Sequence, residues 1–162
     1  MNTEFRRAVV PEEIRSLLIF DRKVFREYTA DWFDRDDWNT YDSWWMTINN
    51  RKAGCCAFAP HLDFREDMSE DGGNTNVAGS LYIVTTGILP ALRGRGLGSL
   101  LKQWQLTYAR NHGFTRLVTN TRVSNLAMIG LNKKFGFTVL RTTPDYYEQP
   151  TESTVVMELR LR

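Results

Sequence analysis

A glycine-rich stretch between a buried strand and an amphipathic helix limits how this chain can fold more than any other feature. Residues 81–88 (LYIVTTGI) are rich in β-branched side chains, which predicts a buried strand. Apolar residues between 97 and 108 recur at helical spacing, which predicts an amphipathic helix. Gly94, Gly96 and Gly98 lie between the two elements. The chain must therefore leave the sheet, turn and expose a helix N-terminus, where free N–H groups and the helix dipole favour an anion.

The charge distribution also favours an anionic ligand in this region. The 162 residues carry a formal net charge of +2, but residues 1–76 hold 15 acids and 10 bases, whereas residues 77–162 hold 4 acids and 11 bases. Residues 72–144 contain nine Lys or Arg and no Asp or Glu. A segment without carboxylates lowers the electrostatic cost of binding an anion. Nucleic-acid affinity, or chance in a small domain, is the alternative explanation.

Two common phosphate-binding motifs do not fit the glycine stretch. No Gly-Lys-Ser/Thr follows the glycines, so the stretch is not a P-loop. Ser99 stands where a dinucleotide-binding motif has its third glycine or alanine. The first acid after Gly98 is Asp145, far beyond the spacing of about 20 residues expected for an acid that binds the ribose.

The rest of the pattern predicts one mixed α/β domain over residues 1–162. Further strands are predicted at 5–10, 44–49, 54–59, 117–121, 137–142 and 154–161, with helices after Pro11 and Ser124 and an exposed loop at 62–76. Such an order is typical of a mixed sheet with helices packed on it. The adjacent Cys55 and Cys56 exclude a disulfide framework, and the N-terminus lacks an apolar signal core, so we expect a cytoplasmic protein.

Three motifs in the chain resemble those of the GNAT superfamily of acyl-CoA N-acetyltransferases. The first is Arg93-x-x-Gly96-x-Gly98 directly after the predicted strand. The second is residues 119–137 (TNTRVSNLAMIGLNKKFGF), with a helix that begins at an asparagine and a closing Gly-Phe turn. The third is the Tyr-Tyr pair 146–147 before the Val-Val-Met run 155–157, which resembles the last hairpin of that family. The resemblance covers about residues 78–161 and is only topological over residues 1–76.

This resemblance implies a GNAT fold of the α+β type: a mostly antiparallel sheet of six or seven strands, about four helices and a V-shaped opening between strands 4 and 5. It implies acetyl-CoA as acyl donor without a metal, and a primary amine of a small molecule, peptide or protein as the acceptor that attacks directly in a ternary complex. We expect neither a nucleic-acid nor a membrane partner, and a homodimer stays open. The residues expected to bind acetyl-CoA are Thr86, Gly87, Ile88, Arg93, Gly94, Arg95, Gly96, Leu97, Gly98, Ser99, Asn125, Met128 and Asn132.

The resemblance also indicates that the usual acid and base are absent. Many relatives carry a catalytic tyrosine at the position of Asn132, and N-terminal-amine acetyltransferases carry a glutamate at the position of Asn120. Asparagine donates hydrogen bonds but does not exchange a proton near neutral pH, so Asn132 could only orient or stabilise the thioester sulfur. We therefore favour Tyr147 or Tyr146 as catalytic residues, although both could simply close the hairpin. The other candidates are His61, Asp145, Glu148, the acids of residues 31–42 and those of the loop 62–76.

A segment rich in tryptophan and aspartate, residues 31–45, gives the best indication of the acceptor. The resemblance places the region after the first helix beside the acceptor, and aromatic rings next to carboxylates suit a cationic amine. We expect Trp32, Trp38 and Tyr41 to contact the acceptor. The alternative is that the tryptophans anchor a helix whose solvated face carries the acids. Because asparagine replaces both usual catalytic groups, a second hypothesis is an acyl-CoA-binding sensor or scaffold with little catalysis.

Overall fold

Seven strands in one sheet form the centre of the protein. The computed structural model describes residues 1–64 and 76–162, with side chains from residue 78 onward in the second range. The strands are β1 (Thr3–Arg7), β2 (Asp42–Ile48), β3 (Arg51–Leu62), β4 (Asn76–Ile88), β5 (Arg116–Arg122), β6 (Thr138–Tyr147) and β7 (Glu152–Arg160). The helices are α1 (Ile14–Val24), α2 (Arg35–Thr40), α3 (Leu97–Asn111) and α4 (Leu126–Lys134), with 3₁₀ turns at Thr29–Asp31 and Pro90–Leu92. The loop predicted at 62–76 lies mostly outside the described residues.

The strand order in the sheet is β1-β2-β3-β4-β5-β7-β6. All neighbouring strands are antiparallel except β4 and β5, which run parallel. The chain must cross over between β4 and β5, and α3 forms that connection, as parallel pairs require. These features confirm the predicted fold class, a mixed and mostly antiparallel sheet flanked by helices.

Two apolar layers bury the two faces of the sheet. On one face α1 packs through Leu17 against Trp45, and both side chains are fully buried. On the opposite face α3 packs through Leu101 against residues such as Ile83 and Met157. The helices α1 and α3 therefore lie on opposite sides of β4. A ligand bound beside β4 can contact both of them. No helix within the described ranges is long and apolar enough to span a membrane.

Several element boundaries differ from the sequence-based predictions: β3 and β4 are both longer than predicted, and a backbone or side-chain contact decides three further boundaries. The first strand begins at Thr3 and ends at Arg7, since its pairing with β2 runs only that far. Helix α4 is capped by Asn125 rather than Ser124, because the Asn125 Oδ1 accepts the N–H of Met128 at 3.2 Å. Tyr147 belongs to β6 rather than to a loop, because it pairs with Glu152 of β7.

Candidate functional site

An opening lies between the carboxyl ends of β4 and β5. The two strands pair only from Ser80↔Arg116 to Ile83↔Thr119, although both continue beyond that point. A β-bulge causes the separation: Ala57 of β3 pairs with Thr85 and Phe58 pairs with Ile83, so Val84 is an extra residue. A bulge bends and twists its strand, which turns β4 away from β5. The predicted V-shaped opening between strands 4 and 5 is therefore present.

The bulge also determines which face of the sheet each later residue of β4 lies on. The hydroxyl of Thr86 accepts a hydrogen bond from Gln105 Nε2 of α3 at 2.9 Å. A Cβ on Gly87 would lie only 2.8 Å from the side chain of Val24, so glycine allows α1 to approach β4 there. Beyond Ile83, one edge of β4 consequently faces the opening without a β5 partner, between α1 and α3.

The glycine loop presents an uncapped helix N-terminus beside this opening. Gly94 and Gly96 adopt left-handed conformations with φ of 77° and 78°, and Gly96 is the N-terminal cap of α3. A Cβ on either residue would meet no atom of the described residues within 4 Å, which leaves space around both glycines. In the part of the chain that the structure describes, no side chain caps α3, and the first turn of α3 carries no acid. The first-turn N–H groups are thus available to an anion.

The charged residues near the loop have more structural contacts than the sequence suggested. Arg93 donates hydrogen bonds to the carbonyl of Ile88 at 3.2 Å and to that of Val24 at 3.0 Å, which ties the loop to the end of α1. Ser99 accepts a hydrogen bond from Lys134 Nζ at 3.2 Å, so it connects α3 with α4. Arg95 is exposed. Through these contacts Arg93, although it is exposed like Arg95, and Ser99 shape the loop.

Three buried polar side chains lie on α3 and α4: Asn132, Gln105 and Lys102. Asn132 is fully buried; its Nδ2 lies 3.8 Å from the sulfur of Met157, and among the described residues its Oδ1 has no hydrogen-bond partner. Gln105 Oε1 is likewise buried and has no partner within that part of the chain. Lys102 is also buried, and burial lowers its pKa to about 8. Asn132 therefore faces the interior next to a sulfur atom, whereas Asn125 mainly caps α4.

On the α1 face of the opening, hydroxyl and amide groups converge on Asn120. The Tyr82 hydroxyl donates to Asn120 Oδ1 at 2.5 Å, and Asn120 Nδ2 donates to the hydroxyl oxygens of Tyr147 and Thr154, each at 3.1 Å. Burial raises the pKa of Tyr147 to about 12 and that of Tyr82 above its usual range. Both phenols thus stay protonated near neutral pH and can donate hydrogen bonds.

Sequence reasoning missed Tyr82 in this cluster. The available signal was a single aromatic residue in a run of otherwise aliphatic and β-branched side chains, close to the start of the predicted strand. Its partners Asn120 and Tyr147 were noted for their motif positions, but their mutual contact depends on the pairing of β5 with β7 and of β7 with β6. Tyr146 packs edge-on against Tyr147 and against Phe64, beside the cluster.

The predicted acceptor contacts fall into different environments. Trp38 is 1% exposed and packs edge-on against Phe33 and Tyr41 at centroid distances of 5.5 and 6.1 Å. Trp32 is half-buried, and its Nε1 donates to the carbonyl of Phe25 at 2.9 Å. Tyr41 is half-buried, and burial raises its pKa to about 12. The structure thus favours the helix-anchoring alternative for Trp38, and leaves Trp32 and Tyr41 at the surface.

The aspartates of this segment have structural partners too. Asp34 and Asp37 form a capping box at the start of α2, each side chain accepting the backbone N–H of the other at 2.8 Å. His61 accepts the N–H of Gly79 at 3.4 Å, in keeping with a structural role. Within the described residues no cluster of three or more His, Cys, Asp or Glu side chains could hold a metal ion.

A buried carboxyl on α1 gives a testable pH dependence. Asp21 is 4% exposed and accepts the N–H of Phe33 at 2.9 Å; burial is the largest effect and raises its pKa to about 6. Because the folded state then holds this proton more tightly than the unfolded chain, the stabilisation is complete below about pH 4 and is lost as the pH rises through about 6. We expect Asp21→Asn, which keeps an acceptor oxygen without the charge, to raise the free energy of unfolding by about 3 kcal/mol at pH 8 and to change it little at pH 4.

Urea unfolding of both proteins at pH 4 and pH 8 measures this effect. Asp36→Asn, on the exposed side of α2, serves as the control and should leave the free energy of unfolding nearly unchanged at both pH values. Destabilisation of the Asp21 variant at pH 8 would contradict the expected cost of burying its charge.

Known proteins match both the sequence and the fold of this chain. The model of the acetyltransferase (GNAT) family matches residues 12–137. The probable N-acetyltransferase san of Drosophila melanogaster is 30% identical over 88 residues, 52% of this chain and 48% of that protein. N-alpha-acetyltransferase 50 of Danio rerio is 30% identical over 81 residues, 48% of each chain. The matched segment thus spans about half the length of the curated relatives.

Solved structures agree along nearly the whole chain. The ribosomal-protein-S18-alanine N-acetyltransferase of Escherichia coli superposes with a TM-score of 0.76 at 16% identity, covering 98% of this chain and 94% of that one. The yncA protein of Salmonella typhimurium, solved with its cofactor acetyl-CoA, has a TM-score of 0.72 at 22% identity, with 99% and 94% covered. At these identities the similarity establishes the fold. Together with the family match over most of the chain, it shows that this protein belongs to the acetyltransferase (GNAT) family.

Proposed function

We propose that this protein transfers an acetyl group from acetyl-CoA to a primary amine by direct attack in a ternary complex. One observation carries the proposal: the opening between β4 and β5 has an uncapped helix N-terminus at its edge and a protonated hydroxyl cluster on its α1 face. The first feature suits a phosphate-bearing donor, and the second suits a reaction in which negative charge develops on oxygen or sulfur. Family membership supports the same activity.

The donor end of the site would be formed by the glycine loop. The N–H groups from Gly96 to Ser99 are suited to the pyrophosphate, and the free space at Gly94 and Gly96 lets it approach the backbone. The β4 edge at Thr86, Gly87 and Ile88 is suited to the amides of the pantetheine arm, because it has no β5 partner there. The Ile88 carbonyl already accepts from Arg93, so its part in that pairing would be limited.

The remaining donor contacts follow from the position of α4. Met128 offers half-buried apolar surface near the start of α4, and Asn125 keeps an amide N–H₂ group beyond its capping oxygen. The Leu97 side chain is buried in the core, so Leu97 would contribute its backbone N–H. Asn132, buried against Met157, would support the end of the opening from behind rather than exchange a proton.

The acetyl transfer itself forms a C–N bond, breaks the C–S bond, and releases the CoA thiolate together with one proton from the amine. Acetyl-CoA supplies the activated carbonyl, and solvent takes the amine proton before or during the attack. We assign the hydrogen-bond donor to Tyr147: its oxygen accepts from Asn120, which leaves its own O–H proton available to the developing charge. Its pKa of about 12 suits donation and makes proton abstraction from the amine an unsuitable role. Tyr146 would border the acceptor, together with Trp32 and Tyr41.

An acceptor screen that follows thiol release from acetyl-CoA tests this proposal. The panel contains peptides with free α-amines, polyamines and aminoglycosides, and at least one class should show turnover. We expect Tyr147→Phe to lower kcat about 100-fold with an unchanged Kd for acetyl-CoA, because only the donated hydrogen bond is removed. Tyr146→Phe is the matched control, since it removes the neighbouring hydroxyl, and it should retain kcat within threefold.

A second candidate function, a sensor or scaffold that binds acyl-CoA, is favoured by one observation. Neither Asn120 nor Asn132 can exchange a proton, although both occupy central positions in the site. Tight binding of CoA without turnover on any amine class would support this candidate and contradict acetyl transfer.

Because both cysteines are buried free thiols, we further propose that the protein works in a reducing, cytoplasmic compartment.

A further inference from the structure

Arg122, at the end of β5, joins the two chain segments that border the acceptor side of the opening. We propose that Arg122 is a positioning residue for the transfer reaction: it locks the segment 28–31 to the segment 147–152 and thereby holds the Tyr147 hydroxyl at Asn120. This inference rests on the proposed function, in which Tyr147 donates a hydrogen bond to the reacting atoms.

Every N–H donor of the Arg122 guanidinium has an acceptor. Nε and Nη2 form a bidentate pair with the Asp31 carboxylate at 2.8 and 2.9 Å. Nη1 donates to Glu152 Oε2 at 2.8 Å and to the carbonyl of Pro150 at 2.9 Å, while Nη2 also donates to the carbonyl of Glu148 at 2.9 Å. The planar guanidinium thus holds two residues of the β6–β7 connection, the first residue of β7 and the 3₁₀ turn after α1. Lysine could not reproduce this arrangement.

Two tyrosine rings enclose the same guanidinium. Its central carbon lies 4.5 Å from the ring centroid of Tyr28 and 4.6 Å from that of Tyr147. The Arg122 side chain is only 5% exposed, so the ring contacts and ion pairs are little screened by water. The orientation of the Tyr147 ring, and with it the position of its hydroxyl at Asn120, is therefore fixed from the side of Arg122.

The ion pairs of Arg122 also bear on which amines the site accepts. The carboxylates of Asp31 and Glu152 are both occupied by Arg122, and Glu152 additionally accepts the N–H of Ser124 at 3.1 Å. These two acids consequently offer little free negative charge to a cationic acceptor. Removal of the guanidinium would free both carboxylates. A polycationic acceptor would then gain more binding affinity than an amine that carries no further charge.

Arg116 provides a matched control on the same strand. It begins β5, is 11% exposed and pairs with two carboxylates, Asp63 at 2.9 Å and Glu158 at 2.6 Å. Arg116→Gln therefore removes an arginine with two partners that lies at the opposite end of the strand from the opening. Both glutamine variants should lower the melting temperature by similar amounts. A difference between their kinetic parameters would then result from where each arginine lies on β5 and not from a difference in stability.

Steady-state kinetics on a monoamine acceptor and on spermidine, combined with calorimetry of acetyl-CoA binding, tests the role of Arg122. We expect Arg122→Gln and Arg122→Lys to lower kcat for the monoamine at least tenfold with Kd for acetyl-CoA unchanged within twofold. In Arg122→Gln, the KM ratio of spermidine to the monoamine should fall at least threefold. Arg116→Gln should leave kcat and that ratio within twofold. Retention of kcat in Arg122→Gln, or an equal loss in Arg116→Gln, would overturn the inference.

Hydrogen exchange separates this inference from the proposed function and does not need turnover. We expect Arg122→Gln to increase exchange in residues 28–31 and 148–152 together, while Arg116→Gln leaves both segments protected. Unchanged protection in Arg122→Gln would contradict the locking itself, whereas inactive wild-type protein with the expected exchange pattern would contradict only the transfer reaction. If Arg122→Gln does not fold, Asp31→Asn, which removes one ion pair and keeps the shape, should show the same two effects at smaller size.

Discussion

Replacement of Gly96 by glutamate is expected to reduce acetyl-CoA binding at least 100-fold, measured by calorimetry, while the protein stays folded. Gly96 caps α3 at φ 78°, and a Cβ there would meet no atom of residues 1–64 and 78–162 within 4 Å, so the new side chain fits with a backbone strain of about 1 kcal/mol. The variant introduces a carboxylate beside the helix N–H groups that are proposed to hold the pyrophosphate. Like charges at that position oppose binding, and the carboxylate competes for the same donors.

Two controls separate this charge effect from backbone strain. Gly113 has φ 77° and equally free surroundings at the other end of α3, so Gly113→Glu carries the same strain far from the loop. It should bind acetyl-CoA within twofold of wild type, although the helix dipole makes a carboxylate less favourable there. Gly96→Ala keeps the strain without the charge and should weaken binding less than tenfold. Wild-type affinity in Gly96→Glu would exclude this loop as the donor site.

Replacement of Trp38 by alanine is expected to lower the free energy of unfolding by about 4 kcal/mol. The ring is 1% exposed and packs between Phe33, Tyr41 and the α1 layer, so its loss leaves a large cavity. A loss of this size is a large part of the stability of a typical domain, about 5–15 kcal/mol. Urea unfolding at pH 7 measures it.

Variants at Trp38 and Trp32 distinguish a core role from an acceptor-binding role. Trp38→Phe should lower the free energy of unfolding by only about 1 kcal/mol, because Trp38 Nε1 makes no hydrogen bond in the described part of the chain. Trp32→Ala should lower the free energy of unfolding by about 1–2 kcal/mol, since it removes the hydrogen bond to Phe25 and the contact with the Arg22 guanidinium. A Trp38→Ala protein of wild-type stability with a raised KM for the acceptor would instead place this ring in the binding site.

The motifs of the second half were predictable because they are local. Left-handed glycines at 94 and 96 and the α3 stripe follow from residue types within a few positions of one another. The family resemblance was carried by the same segment, and the predicted opening between strands 4 and 5 is confirmed. The bulge at Val84 that produces this opening was not predictable, since it depends on the register between β3 and β4.

The charge pattern shows most clearly what contacts between distant residues change. In the sequence, residues 72–144 form a basic run without acids, yet three of its nine bases are largely withdrawn from water: Lys102 is buried, and Arg116 and Arg122 pair with acids from outside the run. The surface of this stretch is therefore less basic than its composition suggests. Composition alone is therefore a weaker argument for nucleic-acid binding than it first suggests.

The sequence by itself determined the strand, glycine loop and helix, the family and the likeness to an acyl-CoA site, because these depend on local residue order. Only the tertiary structure decided that Trp38 belongs to the core, that Arg93 ties the loop to α1, and that Tyr82, Asn120 and Tyr147 meet. The physical reason is that hydrogen bonds and ion pairs join residues 27 to 91 positions apart, such as Asn120 with Tyr147 and Arg122 with Asp31. Such contacts are set by strand register and packing, which no local pattern records.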